Sequence, residues 1–121
     1  MVVFSIGKEY QGGIIFHVDE SGAHGLIAST HDLSGEADWN EAVEEAAAYQ
    51  GGGFADWRLP DEAELNLLYL AKDQVGKMVR FSYWSATEYA THFAWFQHFG
   101  SGERENDFKD NTCYIRAIRS F

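Results

Sequence analysis

Five histidines, one cysteine, nineteen carboxylates and a triple glycine are the residues of this chain whose types suit chemistry. None of the histidines stands in HxH or HExxH spacing, and His24 and His31 fall in segments that read as loops. Zinc ligation is therefore not indicated, and the rings read as solvated or hydrogen-bonded. Cys113 is the single cysteine, which excludes an intrachain disulfide and a CxxC metal site. A nucleophilic thiol needs a thiolate and an oriented base. Cys113 instead opens an apolar run and reads as a small packed or half-exposed side chain. Glu20, Glu36, Asp107 and Asp110 lie in polar segments where oxygen ligands for calcium could gather, but EF-hand spacing is absent. The run Gly51-Gly52-Gly53 closes a helical pattern and no GK[ST] follows it, so it reads as a helix stop and not a phosphate loop. These residues assign no catalytic group, no metal and no cofactor.

The last third offers a different chemistry. Trp84, Glu88, Trp95, Phe99, Gly102, Tyr114, Arg116 and Arg119 read as the framework of a small β core. Trp57 and Phe121 join that core. Arg58, Arg116 and Arg119 stand among aromatic residues and read as buried or half-buried ion pairs, with Glu88 a candidate partner. Between the framework members lie residues of every size and charge, and Phe93, Phe96 and Phe108 fall on the loop side of strands. Aromatic side chains next to His, Arg and Asp suit recognition better than reaction. Phe93, Phe96, His98, Arg104, Asp107 and Phe108 are expected on one exposed surface. Alternation puts Phe96 and His98 on one side of a strand and Trp95 and Phe99 on the other.

The elements that must position these residues are legible from periodicity. Gly12-Gly13, the run Ile14 to Val18, a turn at Asp19 to Gly22 and Gly25 to Ala28 predict a hairpin, and Val2-Val3-Phe4 a further edge strand. Asp38 and Glu41 form a capping-box pattern ahead of a helix whose apolar stripe is Trp39, Ala42, Val43, Ala46 and Ala47. Asp61 and Glu64 repeat the box before a second helix with Leu65, Leu68 and Tyr69 inward and Gly76 as its stop. Short strands are predicted near Tyr83 to Thr87, Ala94 to Phe99 and Cys113 to Ile118, with Gly100 to Thr112 too hydrophilic for core. Segregated strands and helices predict an α+β fold.

The chain of 121 residues is one domain, residues 1–121, long enough for a real core. At 45% hydrophobic and 16% aromatic it can fill that core without disulfides. The formal charge of −10 opposes phosphate backbones, so no nucleic acid is expected as a partner. No membrane span and no signal-peptide pattern are expected either.

Tyr10-x-Gly-Gly-Ile-Ile-Phe, Gly25-Leu-Ile-Ala, Asp38-Trp-Asn-Glu-Ala, Gly-Gly-Gly-Phe-x-Asp-Trp-Arg-Leu-Pro, Tyr83-Trp-Ser-Ala-Thr-Glu and the Tyr114-x-Arg-x-x-Arg ending occur in order. In these motifs the chain resembles the Lcl C-terminal domain-like family, typified by the C-terminal domain of a bacterial collagen-like adhesin. The resemblance spans nearly the whole chain. Ala86 stands where the family often has Ser. The likeness implies a C-type-lectin-like fold of antiparallel strands, the first and last paired, with two flanking helices. Many members are also similar to the variable proteins of diversity-generating retroelements, which implies a variable region at about 83–121. Ala90, Thr91, His92, Phe93, Phe96, His98, Gly100, Ser101, Arg104, Asp107, Phe108, Asp110 and Cys113 are all residues that changes at both adenines of an AAC codon reach. Glu103 and Glu105 are not. All of these but Gly100 are the expected ligand-facing positions. The implied function is a non-enzymatic, hypervariable ligand-binding domain for a protein or glycan receptor, on a phage virion or a cell surface. The alternatives are a trimerising adhesin cap, hence a homo-oligomer, and an inactive relative of formylglycine-generating enzymes. Those enzymes need a cysteine pair, and one cysteine cannot supply it.

Overall fold

The computed structural model describes residues 3–121, so Val2 of the expected N-terminal strand lies outside it. Val3 and Phe4 are not in a strand. The chain forms strands β1 (Glu9–Tyr10), β2 (Gly13–Val18), β3 (Gly25–Ser29) and β4 (Leu33–Ala37), then helix α1 (Trp39–Ala48). A 3-10 turn at Gly51–Gly53 leads to α2 (Glu62–Leu70) and the single turn α3 (Lys72–Val75). Strands β5 (Ser82–Ala90), β6 (Phe93–His98), β7 (Arg104–Phe108), β8 (Cys113–Ile115) and β9 (Ile118–Ser120) complete it.

Two sheets result, ordered β1-β2-β3-β9 and β4-β8-β5-β6-β7. The architecture is α+β, with one departure from the antiparallel expectation: β5 and β8 run parallel, Tyr83 beside Tyr114. The expected Cys113–Ile118 strand is two strands in different sheets. Cys113–Ile115 pairs with β4 and β5, whereas Ile118–Ser120 pairs with β3. The first and last strands share a sheet but lie at its opposite edges. The polar stretch after Gly100 is also a strand. Hydrophilic composition excluded β7 from the core, not from the sheet, because an edge strand with one open side carries polar residues freely.

Both helices begin as their caps dictate. The Asp38 carboxylate accepts the Glu41 N–H at 2.9 Å, and Asp61 and Glu64 form a reciprocal capping box. Ala42 and Ala46 of α1 are buried while Ala47 is exposed, so the inward stripe is narrower than expected. Helix α2 ends at Leu70, and Gly76 at φ 76° stops the following turn α3. Two apolar clusters meet across the β5–β6 sheet. One joins α1, Trp57, Trp84, Ala94 and Ile115; the other joins α2, Phe16, Tyr83, Phe99 and Ile118.

Ion pairs hold the elements together. Arg58 grips Glu64 through two hydrogen bonds of 2.6 and 2.7 Å, Arg119 pairs with Asp56 and Arg116 with Asp32. Glu88 takes none of these arginines and pairs with Lys109 instead. Arg116 is fully buried, and its guanidinium also donates to the carbonyls of Ser29 and Lys77. Replacing it by Met strands those carbonyls and the Asp32 carboxylate. Arg116→Met is expected to cost about 3–5 kcal/mol in denaturant unfolding, and a loss under about 1 kcal/mol would show the network idle.

Burial disfavours the Glu64 carboxylate. Hydrogen bonds from Arg58 and from the Asp61 N–H outweigh that, holding its pKa below the ordinary 4.5. A depressed carboxylate stabilises the fold above its unfolded value and loses that contribution as pH falls through the folded one. Glu64→Gln should cost about 1–2 kcal/mol at neutral pH, toward the lower figure because Arg58 is partly exposed. The difference between the two proteins should shrink as pH falls below 4.5 and vanish once Glu64 is protonated in the fold. A pH-independent difference would contradict the assignment.

Candidate functional site

The site is built on the three-stranded antiparallel unit β5–β6–β7. Phe93 lies opposite Phe108, Trp95 opposite Asn106 and Gln97 opposite Arg104, so these six share one face. Helix α2 covers only part of it. Asn66 accepts from Gln97 at 3.0 Å, Glu62 reaches Arg104 at 3.8 Å, and the Glu62 N–H donates to Thr87 Oγ1. Beyond the helix N-terminus the face is open, and four aromatic rings line up on it. Phe93 packs on Phe108 with centroids 4.6 Å apart, and Tyr89 stands edge-on to Phe93 at 6.5 Å and to Trp95 at 5.6 Å. Tyr89 is 59% and Phe108 54% exposed.

The aromatic row ends at a cleft of about 440 Å³. Thr91, His92 and Phe93 at the tip of the β5–β6 hairpin form one side, and Phe108, Lys109 and Asp110 at the end of β7 form another. Asn40 in the first turn of α1 closes it. Lys109 fixes this geometry. Its backbone N–H donates to the His92 carbonyl at 2.9 Å, and its carbonyl accepts the Trp39 N–H at 3.0 Å. Its ammonium donates to Glu88 and to the Thr91 carbonyl, and lies 4.3 Å from the centre of the Trp39 ring. The hairpin tip, the edge strand and the helix start are thereby tied at one residue, and the lysine charge is already matched by Glu88.

The expected six-residue surface is not one surface. Phe96, with Ala94, lies on the opposite side of the sheet, half-buried and edge-on to Trp84 at 6.4 Å. Asp107 lies on that side too, its carboxylate accepting from the Phe108 N–H and the Asn111 amide. His98 and Ser101 belong to the turn at the far end of the hairpin, about 17 Å from its tip by strand length. There His98 Nδ1 accepts the N–H groups of Gly100 and Ser101, and Ser101 Oγ accepts that of Glu103. Arg104 has the right face but is drawn to Glu62 on α2. Cys113 is 3% exposed in the core, and burial pushes its thiol up to about 12, with the Asp107 and Glu36 charges adding to the shift. A ligand cannot reach it. Ala90 is exposed beside the tip. The structure thus gathers Thr91, His92, Phe93, Phe108 and Asp110 in one cleft and disperses the rest.

Tyr89, Trp95, Asn40 and Lys109 were missed. Trp95 was assigned to the core because its apolar neighbours in sequence resemble those of Trp84. It is half-buried and belongs to neither apolar cluster, because it faces outward where α2 has not yet begun. Its removal should therefore be tolerated: Trp95→Ala is expected to lower the melting temperature by under about 8 °C, a loss near 1–2 kcal/mol. Trp84→Ala, at a site with no exposure, should cost about 3–5 kcal/mol. Equal losses would return Trp95 to the core.

Among the described residues no group of three or more His, Cys, Asp or Glu is placed to hold a metal ion. No helix among them is long and apolar enough to cross a membrane. Residues 19–119 match the family model described as the Lcl C-terminal domain. No curated protein matches the chain.

Proposed function

The chain belongs to the Lcl C-terminal domain family, and from that premise we propose that it is a non-enzymatic ligand-binding module of C-type-lectin-like type. The observation that carries this reading is the cleft at the β5–β6 hairpin tip with its row of four aromatic rings, of which Tyr89 and Phe108 are exposed and Phe93 and Trp95 half-buried. Tyr89, Phe93, Trp95 and Phe108 supply rigid apolar area at low entropic cost, and Asn40, His92 and Asp110 supply polar contacts at its rim. A monomeric soluble domain rarely exposes several large aromatics side by side without a partner to cover them. The binding partner is a protein or glycan.

The variable-protein reading is narrowed by the same geometry. Positions that mutate freely must neither fill the core nor hold a turn. Ala90, Thr91, His92, Phe93, Phe108 and Asp110 meet that condition, whereas Cys113 and Phe96 do not. Lys109, Trp84 and Arg116 hold the scaffold on which diversity is displayed.

An array of purified proteins and glycans probed with the native chain and with Phe93→Ala/Phe108→Ala tests the binding site. Two anchors contributing on the order of 2 kcal/mol each should weaken any specific ligand by more than a hundredfold. The melting temperature should change by only a few degrees. Ligands bound equally by both proteins would place recognition elsewhere. Sequencing the gene across a population tests the diversification: adenine-directed changes are expected at positions 90–93, 108 and 110, with Trp84, Lys109 and Arg116 constant.

A further inference from the structure

Cations are scarce on this chain and five of the nine are committed. Arg58, Arg104, Lys109, Arg116 and Arg119 each lie against a carboxylate. Among the described residues Lys8, Lys72, Lys77 and Arg80 have no carboxylate partner. Three of these four line a single cavity of about 260 Å³ between α3 and the start of β5. Asp73 also borders it, leaving an excess of two positive charges. In a protein of formal charge −10 such a concentration of free cations is not a solvated average face.

The loop that carries Lys77 and Arg80 is fastened by its backbone. Gly76 and Lys77 both take positive φ, 76° and 57°. The Lys77 carbonyl accepts from buried Arg116 at 2.9 Å, and the Val79 N–H donates to the Tyr83 hydroxyl at 3.0 Å. The Lys72 ammonium is stationed 4.4 Å from the centre of the Tyr69 ring. The backbone from Gly76 to Val79 is thereby fixed from beneath, and Lys77, Arg80 and the α3 residue Lys72 all border the cavity. Three cations gathered around a concavity attract a multiply charged oxyanion.

We propose that this cavity is a phosphoryl-binding site, accepting the dianionic phosphate group of a small ligand. The global charge does not forbid it. At 0.1 M ionic strength fields decay within about 10 Å, so a compact dianion responds to the local cations while a long polyanion also meets the acidic surface around them. The cavity borders Phe99, at the turn end of the β6–β7 hairpin, and is independent of the aromatic cleft at the opposite end.

The test is an NMR titration of the full chain with inorganic phosphate and, in parallel, with glycerol phosphate, against sodium chloride at matched ionic strength. Saturable shifts confined to the amides of residues 72–80 and Phe99 are expected with phosphate and not with chloride. Tighter binding of the ester would identify a phosphomonoester as the ligand, and equal binding free phosphate. Lys77→Asn/Arg80→Gln, in which Asn tolerates the left-handed backbone, should weaken binding at least tenfold with an unchanged melting temperature. Arg80→Gln alone alters only an exposed side chain and serves if the double variant fails to fold. Lys8→Gln should bind as the native chain does. Shifts reproduced by chloride, absence of saturation, or native affinity in the Arg80 variants would overturn the proposal.

Discussion

The buried guanidinium of Arg116 is the constraint on which the two-sheet arrangement depends. The chain passes between sheets twice in this region, from β3 to β4 and from β8 to β9. Arg116 stands at the second passage and binds Ser29 and Asp32 at the first, with hydrogen bonds of 2.8 and 3.0 Å. Ser29 and Ala117 add reciprocal bonds between the same two passages. Asp32 in turn accepts from the Tyr83 hydroxyl in the middle strand of the second sheet. A buried ion pair adds little net stability over an apolar substitute, so its contribution is positional. It specifies where each sheet ends, because any slip would leave a charge buried without its partner.

From that pin the rest follows mechanically. Fixing β8 beside β5 fixes the β5–β6–β7 unit, whose two faces receive α1 and α2. Helix α2 is too short to cover its whole face. Its N-terminus is held at Thr87, and everything beyond toward the hairpin tip is left open. The open end is stabilised by its own small knot, Lys109 with Glu88, Thr91 and Trp39. The aromatic cleft thus has a frame fixed by hydrogen bonds and, on it, two exposed rings, Tyr89 and Phe108. The same buried arginine shapes the loop behind the basic cavity through Lys77.

Local signals are strong in this chain. Both helix starts follow from Asp38 and Asp61 with Glu41 and Glu64, since capping chemistry acts within one turn. The β2–β3 hairpin and the strands β5 and β6 also follow from residues near in sequence, whereas the break between β8 and β9 does not. What stays hidden in the sequence is set by contacts between distant segments. The polarity of Gly100 to Thr112 conceals strand β7, because polarity reports burial, not hydrogen bonding. Trp95 was placed in the core because one strand carries apolar residues on both faces, and which face a helix will cover is not written in the strand. Arg116 was recognised as paired, but its partner Asp32 is 84 residues away in sequence.

By itself the sequence determined the family, the α+β class, the helix caps and the scarcity of cations, and it offered a set of candidate ligand-facing residues. Those properties reside in residue types and in spacings of a turn or less. Only the tertiary structure decided which of those residues share a cleft. It split twelve candidate positions between two faces, two hairpin ends and the core, and it drew Lys72, Lys77 and Arg80 around one cavity. The physical reason is that exposure and convergence depend on where a helix stops over a sheet and on which distant carboxylate claims each cation, and both are settled by long-range packing.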